Sequence, residues 1–252
     1  MPNVAKMDNP SKISQDRRKF LGSALAGAAG LMLVNGPATW AAKKEAKKPG
    51  KQEEEPGEEV APAEDLMREH GVLNRILLIY DESITRLGKA NPDLPLDVVA
   101  DSAGIIRHFI EDYHEKLEED FLFPRLRKAG KEVELVEVLL AQHRAGRTLT
   151  DQIIASAKQT AMKDESAKLQ LQSHLRAFNR MYRPHEARED TILFPAFKSI
   201  VSPHEYAALG EDFEDKEHQL FGEDGFEKMV DRVAGLERKL GIYDLAQFTP
   251  KP

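Results

Sequence analysis

The chain contains no cysteine and one tryptophan among its 252 residues. The absence of cysteine excludes disulfides, thiolate metal sites, iron–sulfur clusters and a cysteine nucleophile. Acidic residues outnumber basic ones, 43 against 36, and the formal net charge is −7. We therefore expect no nucleic-acid partner, because an acidic chain is repelled by nucleic acid and by anionic membrane surfaces. Glycine and proline, at 16 and 14 residues, are not enriched, which excludes a collagen-like or wholly disordered chain.

A hydrophobic run long enough to span a bilayer is also missing. The most apolar segment, residues 20–34, is shorter than the ~20 residues of a transmembrane helix but fits the apolar part of an export signal. It follows Arg17 and Arg18, and together they resemble a twin-arginine (Tat) signal. We expect residues 1–41 to be a signal peptide cleaved after recognition by the Tat export machinery. The mature protein would then be periplasmic or exported, without stable membrane insertion; an uncleaved N-terminal anchor is the alternative.

The remaining sequence divides into a linker, a helical domain and an extension. Residues 42–63 carry a basic block and then an acidic block broken by prolines, which is typical of a charged flexible linker. From residue 64 onward, apolar residues recur at helical spacing, and no stretch alternates with the period of a strand. Ser202-Pro203 is a typical helix start after this domain, so we expect residues 201–252 to be a C-terminal helical extension.

Four long helices with short connections are expected within residues 64–200. Their predicted ranges are 65–87, 96–127, 132–162 and 167–200. This pattern predicts an all-α fold, an up-down-up-down four-helix bundle with additional C-terminal helices.

The second and fourth predicted helices contain copies of one motif. Residues 114–124 align with residues 185–195 at a constant offset of 71 (185 − 114), and both copies hold His, Glu four residues later, and Leu-Phe-Pro. The first and third helices correspond too, since His70 and His143 each follow a polar residue. The chain therefore resembles two helical hairpins, with one site between the halves.

The spacing within this motif suits a metal site. Residues four apart on an α-helix lie about 40° apart on one face, so the repeated His and Glu can reach the same point. Leu117 and Phe121 place the first pair on an apolar face, and Ile192 does so for the second. Buried carboxylates without partners are costly, and a divalent ion removes that cost. Imidazole and carboxylate without thiolate favour two bridged ions of iron, manganese or zinc. The predicted metal ligands are His70, His114, Glu118, His143, His185 and Glu189.

The other histidines lie outside the repeat and are predicted not to be ligands. They are His108, His174, His204 and His218. The repeated Leu-Phe-Pro is interpreted as core packing and a helix kink rather than part of a substrate site.

Residues of about 64–200 resemble the hemerythrin-like (HHE cation-binding) family. The matching segments are Arg68-Glu69-His70-Gly71, Tyr113-His114 to Glu119 with Leu122-Phe123-Pro124, Gln142-His143 to Arg147, and Arg183-Pro184-His185 to Asp190 with Leu193-Phe194-Pro195. The resemblance implies a di-iron centre with an oxo or hydroxo bridge, with Mn or Zn as alternative ions. It also implies a small ligand such as O₂, NO or peroxide.

The sequence departs from the oxygen-carrying members at the expected ligands. Arg147 stands where they have a second histidine of the third helix, and Tyr182, one turn before His185, is a candidate replacement, although a packed tyrosine is the alternative. Oxygen carriers place their last carboxylate five residues after the histidine, at Asp190 here, whereas the internal repeat favours Glu189. Asp190, Arg147 and Tyr182 are therefore kept as alternative ligands or as supporting residues around the site.

Three functions remain open at this point. The first is a non-enzymatic di-iron protein that binds O₂ or NO, or senses or holds iron. The second is a di-iron enzyme that reduces peroxide, O₂ or NO. The third is a helical scaffold without metal. A ferritin-like oxidase is disfavoured, because Glu111-x-x-His114 fits its motif but Tyr182 breaks the second copy.

Overall fold

A computed structural model describes residues 60–158 and 163–250. The predicted signal peptide, with Arg17 and Arg18, lies outside the described residues, as does nearly all of the predicted linker at 42–63. The described residues fold into helices, with no strand among them. None of the helices in this part of the chain is long and apolar enough to cross a membrane.

Four of the helices are regular. They are α1 (Pro62–Leu87), α3 (Val133–Ser156), α5 (Pro203–Phe221) and α6 (Gly225–Leu240). A short 3₁₀ turn, Leu245–Phe248, follows α6.

Two helices, α2 and α4, contain π-helical turns. In α2 the α-helical segments are Leu96–Ile105, Glu115–Leu117 and Phe123–Ala129, and the π turns between them are Ile106–His114 and Glu118–Leu122. In α4 the order is Glu165–Arg188, the π turn Glu189–Leu193, and Phe194–Ile200. The predicted all-α class is thus confirmed, whereas the π turns were not predicted.

Local chemistry explains where these helices begin and end. Gly130, at φ 63°, ends α2 in the left-handed conformation that glycine adopts without strain. The Asp164 side chain accepts from the backbone N–H of Ser166 and caps α4. Ser202 caps α5 as predicted, accepting from the Glu205 N–H at 3.2 Å. The third helix ends at Ser156, short of the predicted end at residue 162.

The first four helices form a closed antiparallel ring. α1 packs against α2 and α4, and α3 also packs against α2 and α4. The start of α1 meets the end of α4 at His70 and Asp190, whereas the end of α1 meets the start of α4, where Gln172 donates to the Ile84 carbonyl. Outside the ring, α6 packs on α1 and α2, and α5 packs on α1 and α6.

The π turn in α4 corrects one detail of the predicted apolar face. Ile192 was expected beside the second His/Glu pair, but it is 42% exposed, and Leu193 is buried instead. A π turn holds more residues per turn than an α-helix, so the residues at its end face a different direction from the α-helical expectation. Leu117 is buried as expected.

Candidate metal centre

The structure brings together all six side chains that the sequence suggested as ligands. His70 comes from α1, His143 from α3, and one His and Glu pair from each of α2 and α4. The ligand atoms of His70, His114 and Glu118 lie within 4.8 Å of one another, and the same holds for the second trio, His143, His185 and Glu189. Every member of both trios is buried. Each trio could hold a metal ion.

The two glutamates connect the two trios. The first hairpin consists of α1 and α2, and the second of α3 and α4. Glu189 Oε1 lies 3.1 Å from Nε2 of His185, in its own hairpin. Glu189 Oε2 lies 3.4 Å from Nε2 of His70, in the other hairpin. Glu118 is the counterpart, with its Oε2 3.4 Å from His143 Nε2. Each carboxylate therefore faces imidazoles from both halves of the bundle, as a bridging ligand would.

Two of the imidazoles are oriented by side chains of their own hairpin. The Nδ1 of His114 lies 2.6 Å from Glu69 Oε2, and the Nδ1 of His185 lies 2.8 Å from Gln142 Oε1. Glu69 directly precedes His70 on α1, and Gln142 directly precedes His143 on α3. Such partners fix the orientation and tautomer of an imidazole that binds metal through its other nitrogen.

The other two imidazoles are oriented by the opposite hairpin. The Nδ1 of His70 lies 2.7 Å from Asp190 Oδ1, and the Nδ1 of His143 lies 3.1 Å from Glu119 Oε1. Asp190 directly follows Glu189, and Glu119 directly follows Glu118, which is the counterpart of Glu189 in the repeat. Asp190 therefore binds a histidine and supports the centre from outside, while Glu189 points into it.

These contacts turn four imidazoles and two carboxylates toward one centre. Because each Nδ1 is engaged outward, each Nε2 faces the carboxylates and, once deprotonated, has a lone pair free for a metal ion. All four carboxylate oxygens of Glu118 and Glu189 are buried without a hydrogen-bond partner, as is the Nε2 of His143. Burial of unpaired carboxylates costs several kcal/mol. Cations between these acceptors would remove that cost, so the donor set fits a pair of metal ions.

The pKa values of the two glutamates move in opposite directions. Burial and the nearby Glu189 raise the pKa of Glu118 to about 8. Burial also acts to raise the pKa of Glu189, but the neighbouring imidazoles, His185 foremost, hold it well below its usual range. Without a cation the centre therefore keeps a proton on Glu118 at neutral pH.

The repeated Leu-Phe-Pro explains the π turns beside both glutamates. The Phe123 N–H donates to the Glu118 carbonyl, and the Phe194 N–H donates to the Glu189 carbonyl, five residues back in each case. The next residue is proline, which has no N–H and whose ring would collide with the carbonyl four residues earlier in an α-helix. A wider turn relieves that collision, so the predicted kink takes the form of a π turn at each glutamate.

The phenylalanines of the same motif cover the imidazoles of the opposite hairpin. Phe123 stacks on His143 with ring centroids 5.6 Å apart, and Phe194 stacks on His70 at 5.7 Å. Both phenylalanines are buried. They shield the centre from water, which strengthens electrostatic interactions within it.

Arg147 and Tyr182 both contact Glu115 beside the centre. Arg147 Nη2 lies 2.8 Å from Glu115 Oε2 and 2.8 Å from Glu119 Oε1. Tyr182 donates its hydroxyl to Glu115 Oε1 at 2.8 Å. A Cβ at Gly146 would lie 2.0 Å from the Tyr182 hydroxyl oxygen, so only glycine leaves room for this tyrosine. Neither Arg147 nor Tyr182 belongs to the two trios.

The remaining histidines lie apart from the two trios. His108 pairs with Asp112 and His218 with Glu214, on exposed helix surfaces. In the described part of the chain, none of His108, His174, His204 and His218 belongs to a group with metal-binding geometry.

Sequence reasoning missed the side chains that orient the imidazoles. Glu69, Glu119 and Gln142 were not proposed as part of the site. A signal for them was present, since each neighbours a predicted ligand and has a polar counterpart in the other repeat copy. Glu69 corresponds to Gln142, and Glu119 corresponds to Asp190.

Comparison with known proteins agrees with this geometry. The family model described as Hemerythrin HHE cation binding domain matches residues 61–197 and, in a second overlapping alignment, residues 134–239. The chain is 52% identical over 191 residues to "Uncharacterized protein Rv1995" of Mycobacterium tuberculosis (strain ATCC 25618 / H37Rv), covering 76% of this chain and 74% of the relative. "Uncharacterized protein Mb2018" of Mycobacterium bovis matches with the same identity and coverage. No solved structure matches the chain.

Proposed function

Because the chain belongs to the hemerythrin HHE cation-binding family, we propose that its buried His/Glu centre holds two iron ions, one with His70, His114 and Glu118 and the other with His143, His185 and Glu189. The observation that carries the proposal is the set of four imidazole nitrogens aimed at two buried carboxylates without hydrogen-bond partners. Those six side chains match the preference of iron for imidazole and carboxylate ligands. Manganese or zinc would fit the same donors.

We further propose that the centre binds a small ligand such as O₂, NO or peroxide. An iron pair with an oxo or hydroxo bridge supplies reversible ligand binding or electron transfer at open coordination positions. In this chain each trio contains two imidazoles. Arg147 adds no ligand, because its guanidinium pairs with Glu115 and Glu119. The residues that would hold each ion are therefore matched, with two imidazoles and one carboxylate in each trio.

A second candidate function is an enzyme that reduces peroxide, O₂ or NO. The observation that favours it is a proton-bearing group next to the centre. Glu115 is buried, receives the Tyr182 hydroxyl, and has its Oε2 3.9 Å from His143 Nδ1. Burial raises the pKa of Glu115 to about 7, so this carboxyl exchanges protons near neutral pH. Reduction of peroxide or O₂ consumes protons, which such a group would supply.

We also propose that the protein acts outside the cytoplasm after Tat export. The support is the sequence of residues 1–41, with Arg17 and Arg18 before a short apolar run. A periplasmic form that begins near residue 42 is the expected product.

Metal analysis of the purified full chain tests the metal proposal. We expect about two iron ions per chain and near-ultraviolet absorption from the bridge. Glu189→Ala and Glu118→Ala should lose iron, whereas the matched control His174→Ala should retain it. A chain that takes up no metal and shows unchanged thermal stability on metal addition would overturn the proposal in favour of a scaffold. A single zinc ion per chain would overturn the di-iron assignment.

Spectroscopy of the loaded protein separates the two candidate functions. An absorption band that appears with O₂ and disappears on its removal supports reversible binding. Rapid turnover of peroxide or NO, reduced in Tyr182→Phe, supports the enzyme.

A further inference from the structure

A second group of acidic side chains lies behind His114, between α1 and α5. It consists of Asp65 and Glu69 from α1 and Glu217 from α5. One carboxylate oxygen from each lies within 4.8 Å of the other two. Glu69 is fully buried and Glu217 is 9% exposed. We call these three residues the acidic triad.

Two buried polar groups point into the triad without a partner. One is the Oε1 of Glu69, whose other oxygen is engaged by His114. The other is the hydroxyl of Tyr113, a residue 1% exposed, which lies beside the Glu69 carboxylate without a well-formed hydrogen bond. A buried hydroxyl without a good partner is costly, and a ligand that binds oxygens between Tyr113 and the carboxylates would remove that cost.

The surrounding charges do not neutralise the triad. Arg68 reaches Asp65 from the edge, with Nη1 3.4 Å from Oδ1. Glu217 Oε1 accepts from the backbone N–H of Phe226 at 2.9 Å. One guanidinium faces three acidic side chains, and burial strengthens their mutual repulsion, which favours either protons or a cation among them.

We propose that the acidic triad, with the Tyr113 hydroxyl, binds a hard divalent cation such as Ca²⁺ or Mg²⁺. All of its donors are oxygens, which these ions prefer, and it contains no imidazole to favour zinc or iron. Oxygens bound to one Ca²⁺ at 2.3–2.6 Å lie up to about 5 Å apart, which agrees with the spacing of the triad. This site uses no ligand of the His/Glu centre and does not depend on iron being bound there.

Glu69 links this site to the His/Glu centre. Its Oε2 lies 2.6 Å from His114 Nδ1, while its Oε1 faces the triad. A cation on Oε1 would withdraw negative charge from Glu69 and weaken its hold on the His114 proton, which lowers the basicity of that imidazole. Since Glu217 comes from α5, the C-terminal extension acquires a function as the outer wall of this site.

Calorimetric titration of the iron-loaded full chain with Ca²⁺ tests the proposal. We expect one Ca²⁺ per chain in addition to the iron. Asp65→Asn and Glu217→Gln should each weaken Ca²⁺ binding about tenfold or more, because each removes a charged ligand. The matched control is Glu134→Gln, which removes an exposed carboxylate at the start of α3 and should leave the Ca²⁺ affinity unchanged.

Two further variants keep the outcome decisive. Tyr113→Phe preserves packing and should weaken Ca²⁺ severalfold, which supplies a result if the carboxylate variants fold poorly. His143→Ala should lose iron but still bind Ca²⁺, so failure of the iron proposal and failure of this one are distinguishable. The proposal is overturned if the wild type binds no Ca²⁺, or if Asp65→Asn, Glu217→Gln and Tyr113→Phe all bind it like wild type.

Discussion

Gly146 shows how a single residue determines what surrounds the centre. It stands on α3 where the Tyr182 side chain of α4 crosses, and an added methyl group would overlap the tyrosine hydroxyl. That hydroxyl donates to Glu115, which also contacts Arg147. The hydrogen-bonded network of Tyr182, Glu115 and Arg147 therefore depends on the absence of a side chain at position 146.

We predict that Gly146→Ala destabilises the protein by about 1–3 kcal/mol, because a buried neighbour must move to admit the methyl group. Urea unfolding measures the loss. Tyr182→Phe in the same chain should recover part of it, since the closest clash is with the hydroxyl. The control Gly235→Ala lies in α6 with no atom near the new methyl and should be neutral or slightly stabilising. Equal effects at both glycines would contradict this explanation.

At the scale of helices, α6 is attached to the bundle by a buried ion pair. Arg75 of α1 donates from Nε and Nη2 to Glu237 of α6, at 2.9 and 2.5 Å. Glu237 is almost fully buried, and Arg86 adds a hydrogen bond to the Leu240 carbonyl. Bidentate contacts between arginine and carboxylate restrain the relative orientation of the two helices more than single exposed ion pairs do.

We expect Glu237→Ala to cost about 1–3 kcal/mol, because the partly buried Arg75 guanidinium loses the carboxylate that accepts two of its hydrogen bonds. Hydrogen exchange should report faster opening of α6 than of α1 in this variant. Lys239→Ala is the comparison on the same helix, since Lys239 pairs with Asp97 at an exposed site and should cost about 0–1 kcal/mol. If the two variants lose the same stability, the buried pair does not hold α6 in place.

For the whole molecule, metal binding and pH should be coupled. Burial raises the pKa of Glu118 to about 8 and that of Glu115 to about 7. Burial acts to lower the pKa of His70, but the carboxylates of Asp190 and Glu189 raise it to about 10. Between pH 6.5 and 8 the folded metal-free chain therefore holds more protons than the unfolded chain. Its stability must fall as pH rises across this range.

We predict that added Fe²⁺ under anaerobic conditions raises the melting temperature more at pH 8 than at pH 6.5. The reason is that the cation takes the place of protons that the centre would otherwise hold, so fewer protons compete at the higher pH. Thermal unfolding with and without Fe²⁺ at both pH values measures this difference. Without Fe²⁺, Glu118→Gln should weaken the fall in melting temperature between pH 6.5 and pH 8, because this side chain cannot bind or release that proton. A shift in melting temperature that is independent of pH would contradict the coupling.

The internal repeat allowed much of this structure to be predicted. Period and turn residues predicted four helices, and α1 and α4 begin and end close to the expected positions. The internal repeat identified six side chains that the fold brings together. These features follow from local chemistry, since helical periodicity and the position of proline act within a few residues.

The tertiary structure decided which side of each repeat faces inward. Glu189, at the start of the π turn, lies in the centre, and Asp190 binds His70. α-Helical spacing favoured Glu189 over Asp190 as the ligand but did not determine which of the two faces inward. It also decided that Arg147 and Tyr182 meet Glu115 outside the two trios, and that Glu217 joins Asp65 and Glu69. These contacts join residues far apart in the chain, and their distances depend on how whole helices pack. The sequence by itself determined the helices and the chemistry of the donors, whereas packing determined which donors face one another.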